Sequence, residues 1–282
     1  MTLDPRIHAI RPDLAAEHLR DAVAAPKYAT GAPRTVRTGI LALRHEPAED
    51  APLDTELLHG ETVVVYDEHN GWSWLQSETD GYVGYARSEA LGPLLGPLTH
   101  RVAVLRSFVF PGPNLKTPPR DLLSLHAGIR VTGQEGGYSR LSNGGWIFSA
   151  HLSAADRFED DHAAVALRFL GTPYLWGGRS SIGLDCSGLV QLSLARCGRR
   201  APRDTDMQAV SIGNPVNFSG DESVLQRGDL VFWKGHAGIW IDSGHFVHAN
   251  ATDMMVAVGP LEAIAGRIQA AGAGPIAAVR RL

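Results

Sequence analysis

The sequence predicts an α+β domain that follows two small β-barrels. Residues 36–95 and 98–155 each contain short strands of alternating polarity between Gly, Asn and Asp turns, a pattern typical of small barrels. From residue 158 to 282, two helical segments precede a series of apolar strands, which indicates an α+β domain. A chain of 282 residues is long enough for several such units.

The first 35 residues predict an N-terminal arm. Apolar spacing over Asp13–Ala25 indicates a short amphipathic helix, which Pro26 would end. A Gly- and Pro-containing linker, TGAPR, follows this segment. We expect the arm at 1–35 to be ordered only where it docks on another part of the chain.

The two predicted barrels share their turn positions. Each opens a strand with Gly and then returns twice to a Gly-aromatic pair, at matched positions: Gly60 and Gly128, Gly71-Trp72 and Gly137-Tyr138, Gly84-Tyr85 and Gly145-Trp146. This spacing predicts an internal repeat of about 60–65 residues.

Composition and charge argue against several classes of function. A formal net charge of −4 without any Lys/Arg-rich run gives no electrostatic basis for nucleic-acid binding. No apolar run approaches the ~18 residues that span a bilayer, and the N-terminus does not resemble a secretory signal. The two cysteines lie eleven residues apart in one predicted helix, too far for a disulfide. Free thiols without an export signal predict a cytoplasmic protein, with non-classical export left open.

Cys186 lies where a Gly-rich loop, TPYLWGGRSSIGL, meets the predicted helix CSGLVQLSLARCG. A thiol at a helix N-terminus faces unpaired N–H groups and the positive end of the helix dipole, which favour the reactive thiolate. The same N–H groups can stabilise an oxyanion. The alternative, a small buried apolar cysteine, suits Cys197 at the other end of the helix. The sequence therefore predicts Cys186 as a nucleophile.

Two histidines on successive predicted strands can serve this thiol. His236 opens HAGIWI, and His248 lies in HFVHAN. If residues 242–244 form a three-residue loop, His236 becomes a diagonal neighbour of His248 on one face, at roughly 7–8 Å. A two-residue loop would place them on opposite faces. With the longer loop, we expect His236 to take the thiol proton and His248 to fix its tautomer; two structural histidines are the alternative.

Other site chemistries have no matching pattern. The sequence lacks CxxC and HxxxH spacings that bind zinc. It also lacks the phosphate-binding patterns GxxxxGKS/T and GxGxxG, and the serine-hydrolase pattern GxSxG. We therefore expect no metal and no other cofactor.

The order and spacing of YLWGG, DCSGLVQ, RGDLVFW, HAGIW and FVHAN resemble the NlpC-type family of papain-like cell-wall endopeptidases, over 158–282. The two barrels resemble bacterial SH3-type domains, and the whole chain is similar to γ-D-glutamyl-L-diamino-acid endopeptidases. The resemblance implies a papain-like cysteine peptidase domain preceded by two small SH3-like β-barrels. It also implies four catalytic residues: Cys186 as nucleophile, His236 as base, His248 as the third triad member and Tyr174 as an oxyanion ligand.

The resemblance further implies how the substrate is recognised. In SH3-bearing members, the first SH3-like domain closes one end of the cleft and helps to bind the free amine of an N-terminal L-Ala. By position, this role falls on Asp185, Ser187, Thr205, Glu46 and Tyr82, with Tyr85 as the substitute for Tyr82. Carboxylates with aromatic or hydroxyl groups suit an ammonium ligand. A solvated loop charge at Glu46 and a core position for Tyr82 are the alternatives.

The expected reaction is hydrolysis of the γ-D-Glu–diamino-acid bond in muropeptides such as L-Ala-γ-D-Glu-diaminopimelate, in the recycling of imported wall fragments. The same Cys-His pair would also suit an amidase that cuts the muramoyl–L-Ala bond. A non-catalytic wall-binding protein is the third alternative. The preferred diamino acid and the oligomeric state stay open.

Overall fold

The computed structural model describes residues 3–282. These divide into two compact units, one ending at Arg157 and the other starting at Phe158. The finer division of the first unit into an arm and two domains stays a prediction. Within the described residues, none of the helices is long and apolar enough to cross a membrane.

The helix predicted over Asp13–Ala25 is wrong. The segment instead forms β1 (Ala15–Ala16) and a 3-10 helix (Glu17–Leu19), and then leads to β2 (Tyr28–Ala29), which pairs in parallel with β1. Its apolar side chains pack on Trp74 in one hydrophobic cluster. The apolar positions are therefore buried by docking on the next sheet, as expected for the arm, and not along one face of a helix.

The following strands form a seven-stranded antiparallel sheet in the order β5-β4-β8-β7-β6-β3-β9. They are β3 (Ala32–Val36), β4 (Ile40–Arg44), β5 (Leu53–Leu58), β6 (Thr62–His69), β7 (Trp72–Ser77), β8 (Val83–Arg87) and β9 (Leu91–Gly92). Alternate residues of β4, Leu41 and Leu43, point into the hydrophobic core of this sheet because successive side chains face opposite sides of a strand.

Eight strands make up the rest of the first unit. They are β10 (His100–Val102), β11 (Arg106–Phe110), β12 (Asp121–Ser124), β13 (Gly128–Ile129), β14 (Val131–Glu135), β15 (Tyr138–Leu141), β16 (Trp146–Phe148) and β17 (Leu152–Ala154). They form a five-stranded sheet in the order β12-β11-β16-β15-β14 and a three-stranded sheet in the order β13-β10-β17.

The predicted internal repeat is confirmed in the strand order. The succession β5-β4-β8-β7-β6 corresponds to β12-β11-β16-β15-β14, and a 3-10 helix follows in both cases, at Ser88–Ala90 and Ser149–His151. β7 begins at Trp72 and β15 begins 66 residues later, at Tyr138 (138 − 72). Closed barrels are not confirmed, because each sheet ends in strands with one described neighbour, β5 and β9 in the first.

The second unit has helices and one six-stranded antiparallel sheet, in the order β18-β23-β19-β20-β21-β22. Its elements are α1 (His162–Leu167), α2 (Cys186–Arg196), α3 (Thr205–Ser211), β18 (Asn214–Pro215), a 3-10 helix (Glu222–Val224), β19 (Leu230–Trp233), β20 (His236–Asp242), β21 (His245–Asn250), β22 (Met255–Pro260), α4 (Leu261–Ala270) and β23 (Ala278–Arg281). The predicted mixture of helix and sheet is confirmed.

Two helices of this unit position the site. α1 and α2 contact β20 and β21, which carry the two predicted catalytic histidines. An apolar cluster of this unit joins the sheet to α4 through Trp233, Phe246, Leu261 and Ile264. The sequence reading missed α3 and α4. The first helix, α1, ends at Leu167, and the chain then turns through Gly171 at φ +77°.

Candidate active site

Cys186 is the first residue of α2, and it is 6% exposed. Asp185 caps the helix, because its Oδ1 accepts a hydrogen bond of 2.7 Å from the Gly188 N–H. Position 188 has no room for a side chain, since a Cβ there would collide with the carbonyl oxygen of Gly178. The sequence DCSG thereby fixes a thiol at the start of a helix, while Cys197 lies at its C-cap.

The expectation that this position favours the thiolate is wrong for the site as it stands. Burial raises the pKa of Cys186 to about 12, and the Asp185 carboxylate raises it further. Hydrogen bonds from the N–H groups of Ala237 and Ser187 lower the pKa without offsetting the lost hydration. The thiol is therefore neutral, and it donates to the carbonyl oxygen of Gly235 at 3.9 Å.

The two histidines are in contact. Nε2 of His236 lies 2.7 Å from Nδ1 of His248. Residue 239 pairs with 247 across the hairpin, the register that the three-residue loop predicted. The loop itself has two residues, however, because Asp242 pairs with His245 and an irregularity between 240 and 242 supplies the extra residue.

Aromatic side chains hold both imidazole rings. Trp233 lies 5.9 Å from the His236 ring, and Phe246 lies 5.3 Å from the His248 ring, between centroids. Burial lowers the pKa of His236 to about 4. Burial and the neighbouring His236 lower the pKa of His248 to about 3. Both rings are therefore neutral at pH 7, and Nδ1 of His236 is the ring nitrogen that His248 does not occupy.

Asn250 extends the histidine pair, and the sequence reading missed it. Its Nδ2 lies 3.3 Å from Nε2 of His248 and 3.1 Å from Oδ2 of Asp253. Asn250 is 5% exposed, so its amide needs partners inside the protein. The motif FVHAN placed this residue two positions after His248, on the same strand face, which was the available signal.

Asp185 forms a buried ion pair that the sequence reading also missed. Nη1 and Nη2 of Arg203 donate to its two oxygens at 2.9 and 2.6 Å, and the Gly177 N–H donates to Oδ2 at 2.9 Å. Ser187 belongs to the same network, since its Oγ accepts from Arg203 at 2.7 Å and donates to Asp185 at 3.1 Å. Arg203 is 1% exposed, so its charge requires a carboxylate partner nearby.

Tyr174 is half-buried in the loop before α2. Its N–H donates to the carbonyl oxygen of Met254 at 2.9 Å, and its backbone bridges to Leu184. Burial raises the pKa of its phenol, and the nearby Cys186 raises it further, so the hydroxyl is protonated and close to the thiol. A protonated phenol can donate to an oxyanion.

Thr205 begins α3 and is half-buried. Gln208 on the same helix donates to the carbonyl oxygen of Ser187 at 3.0 Å, which ties α3 to the start of α2. The substrate-binding role of Thr205 stays a prediction.

Glu46 and Tyr82 belong to the other unit. Glu46 is exposed in the loop between β4 and β5. Tyr82 is 6% exposed and packs in the core of the seven-stranded sheet. Tyr85 instead lines a pocket with Trp72 and Trp74. Contact of these side chains with a substrate stays a prediction.

Within the part of the chain that the structure describes, no group of three or more His, Cys, Asp or Glu side chains is arranged to hold a metal ion.

Comparison with protein-family models places two known domains on the chain. Residues 171–265 match the NlpC/P60 family, and residues 43–91 match the bacterial dipeptidyl-peptidase SH3 domain. The chain thus combines an NlpC/P60 domain with an SH3 domain of this type, which confirms the resemblance seen in the sequence.

Curated relatives of the chain include dipeptidyl-peptidases from two Bacillus-like organisms. The chain is 25% identical over 236 residues to the Bacillus subtilis γ-D-glutamyl-L-lysine dipeptidyl-peptidase, covering 74% of this chain and 76% of the relative. It is 29% identical over 137 residues to dipeptidyl-peptidase 6 of Lysinibacillus sphaericus, covering 48% of each. The chain thus spans about half the length of the latter relative.

Among solved structures, an NlpC/P60 family protein from Bacillus cereus superposes with a TM-score of 0.74 at 20% identity, over 89% of this chain and 99% of that one. This likeness shows a shared fold. The predicted class, a cysteine peptidase, is confirmed by the NlpC/P60 family match and the dipeptidyl-peptidase relatives.

Proposed function

We propose that this NlpC/P60 domain is a cysteine endopeptidase that hydrolyses the γ-D-Glu–L-diamino-acid bond of peptidoglycan stem peptides. The observation that carries the proposal is a thiol at a helix N-terminus beside the start of β20, where the His236 ring is hydrogen-bonded to His248 of β21. The substrate class is supported by the name of the Bacillus subtilis relative, a γ-D-glutamyl-L-lysine dipeptidyl-peptidase.

In the first step, the sulfur of Cys186 forms a bond to the carbonyl carbon while its proton passes to Nδ1 of His236. Nε2 of His236 faces His248, so Nδ1 is the ring nitrogen available for this transfer. Because the thiol and the imidazole are both neutral, the proton moves during attack, as in general-base catalysis, and this step needs the His236 tautomer whose Nδ1 has a free lone pair.

The negative charge that develops on the carbonyl oxygen needs donors. Backbone N–H groups at the start of α2 and the protonated phenol of Tyr174 are the proposed donors. As the C–N bond breaks, His236 returns its proton to the leaving amine. Water then hydrolyses the thioester, with His236 again taking a proton, and restores Cys186.

Recognition of a free N-terminal amine is the finer part of the proposal. Asp185, Ser187 and Thr205 lie at the starts of α2 and α3. For Glu46 and Tyr82, or Tyr85, the role rests on the resemblance in sequence alone. Arg203 already neutralises Asp185, so an ammonium ligand would have to share this carboxylate with the guanidinium. N-acetylation of the substrate should therefore sharply lower kcat/KM, and unchanged turnover would remove this role.

Two structural assignments belong with this proposal. A papain-like arrangement of the catalytic domain is supported by the cysteine helix packed on the histidine strands. A second SH3-like domain at 98–155 is supported by the strand order that it shares with the first.

We propose that the reaction belongs to the cytoplasmic recycling of muropeptides, which the two free cysteines support.

Product analysis tests the function. The protein is incubated with L-Ala-γ-D-Glu-diaminopimelate, its L-Lys counterpart and a full-length muropeptide, and products are identified by mass spectrometry. The proposal predicts L-Ala-D-Glu and a free diamino acid from at least one of the two peptides. Release of the sugar from the muropeptide alone would instead identify an amidase, and binding without any product would identify a wall-binding protein.

A further inference from the structure

The side-chain amide of Asn250 has a fixed orientation. Its Oδ1 accepts hydrogen bonds from the backbone N–H groups of Thr252 and Asp253, at 3.0 and 2.8 Å. Its Nδ2 faces two groups that can only accept, Oδ2 of Asp253 at 3.1 Å and the carbonyl oxygen of Met255 at 3.4 Å. These four contacts assign the amide without reference to any histidine.

This orientation presents an NH₂ group to Nε2 of His248, at 3.3 Å. Since a neutral imidazole has one donor and one acceptor nitrogen, Nε2 of His248 accepts and Nδ1 carries the proton. That proton is donated to Nε2 of His236 at 2.7 Å, so Nδ1 of His236 also carries a proton. The resting order of protons thus runs from Asn250 through both rings toward the thiol.

The environment of Cys186 agrees with this order. Its thiol hydrogen is directed at the carbonyl oxygen of Gly235, at 3.9 Å, and does not need a lone pair on His236. In this arrangement the rings of His236 and His248 and the thiol of Cys186 are all uncharged.

We propose that Asn250, held by Asp253, is a positioning residue that sets the proton order of the His248–His236 pair and keeps the resting site neutral. The inference rests on the proposed function, in which His236 must accept a proton at Nδ1. Before attack, the order must reverse: Nδ1 of His248 passes its proton to Nε2 of His236, Nδ1 of His236 releases one proton to water, and Nε2 of His248 gains one from water. The number of protons is unchanged.

The groups that face the pair allow a selective test. Burial lowers the pKa of His236. The charged or titratable neighbours of His248 are His236, Asp253 and Arg267. Asp253 favours the charged form of His248, whereas Arg267 of α4 opposes it. Exchanging the two side chains in the double variant N250D/D253N keeps the total charge of the site. It also places an acceptor oxygen, instead of an NH₂ group, opposite Nε2 of His248.

The first test measures the wild-type protein directly. Nitrogen-15 NMR of histidine-labelled protein at pH 7, assigned with His236→Gln and His248→Gln, reports which ring nitrogen carries the proton. The expected result is the Nδ1–H tautomer in both rings. An Nε2–H tautomer at His248 would overturn the proposal.

The second test is alkylation of Cys186 by iodoacetamide across pH 5–10, with Cys197→Ala in every protein. In N250D/D253N, the reversed order lets His236 accept the thiol proton, so alkylation at pH 6.5 should be at least tenfold faster than in the parent. Equal rates, or the same increase in D253N alone, would overturn the proposal. Alkylation requires no peptide substrate. Failure to cleave any peptide would therefore refute the proposed function, while the alkylation rates would still decide whether Asn250 sets the proton order.

Discussion

His236 and His248 are joined by a contact of 2.7 Å although the turn between their strands has only two residues. Ser243 and Gly244 form that turn with φ of +45° and +85°. A bulge at Ile241 adds the residue that brings both histidines to the same face of the hairpin. Their alignment therefore depends on a local irregularity as well as on the turn.

Removing His248 should impair catalysis more than binding. In His248→Ala, His236 loses the partner that orients its ring, so kcat should fall by about 10²-fold or more at nearly constant KM. His248→Asn should recover part of the loss, because an amide can still hydrogen-bond to Nε2 of His236. Steady-state kinetics on the γ-D-Glu peptide measures both values. A rise in KM with unchanged kcat would show that His248 binds substrate instead.

Gly188→Ala should destabilise the protein even though alanine favours helices. The new Cβ would collide with the Gly178 carbonyl and push α2 away from its loop, at a cost of about 1–3 kcal/mol. Gly266→Ala in α4 is the matched control, because nothing lies within 4 Å of its Cβ position. That change should stabilise by about 0.5–1 kcal/mol. Urea unfolding measures the free energy of unfolding of both variants. A Gly188→Ala protein as stable as the wild type would refute the close packing of residue 188 on Gly178.

Arg203→Met should unfold the site by leaving a carboxylate unpaired. Asp185 is 8% exposed, so losing the guanidinium leaves a buried carboxylate without its ion-pair partner, and the expected loss in the free energy of unfolding is about 3–5 kcal/mol. Glu17→Gln, which removes the charge of the exposed pair with Arg20, is the control and should leave the urea midpoint unchanged. Equal midpoints for the two variants would mean that the buried pair contributes nothing.

Stability should fall as the pH decreases from about 6.5 to about 4. Burial lowers the folded-state pKa of His236 to about 4 and of His248 to about 3, so only the unfolded chain binds these protons in that window. Each contributes a slope of up to about 1.4 kcal/mol per pH unit. Urea unfolding at pH 7, 6 and 5 measures the slope. Buried His59 and half-buried His162, whose pKa values burial also lowers, add to it in the same direction.

The variant His236→Gln/His248→Gln is the control for this pH dependence. Its free energy of unfolding should depend less steeply on pH than that of the wild type, because two of the four histidines with a lowered pKa are absent. A slope that does not change would mean that these two rings bind protons equally in the folded and unfolded states.

Short-range patterns in the sequence predicted much of the catalytic domain. The helix start at Cys186 and the strands carrying His236 and His248 follow from glycine positions, apolar runs and turn residues. The internal repeat was predicted because turns recur at matched positions. These features depend on neighbours along the chain, which a single sequence displays.

Tertiary contacts account for what the sequence did not predict. The partner of Asp185, Arg203, lies 18 residues away in sequence, and nothing local reveals that both are buried together. The arm at residues 13–25 carries apolar side chains that suit a helix but pack on Trp74. The neutral state of Cys186 also follows from burial, which raises the thiol pKa more than the hydrogen bonds from Ala237 and Ser187 lower it.

The central claim is that Cys186 is the nucleophile. The most direct measurement is the initial rate of L-Ala-D-Glu release from L-Ala-γ-D-Glu-diaminopimelate by the wild type, Cys186→Ala and Cys197→Ala. The account predicts that Cys186→Ala loses activity by at least about 10³-fold while Cys197→Ala, changed at the far end of the same helix, keeps it. Equal product release by the wild type and Cys186→Ala would contradict it.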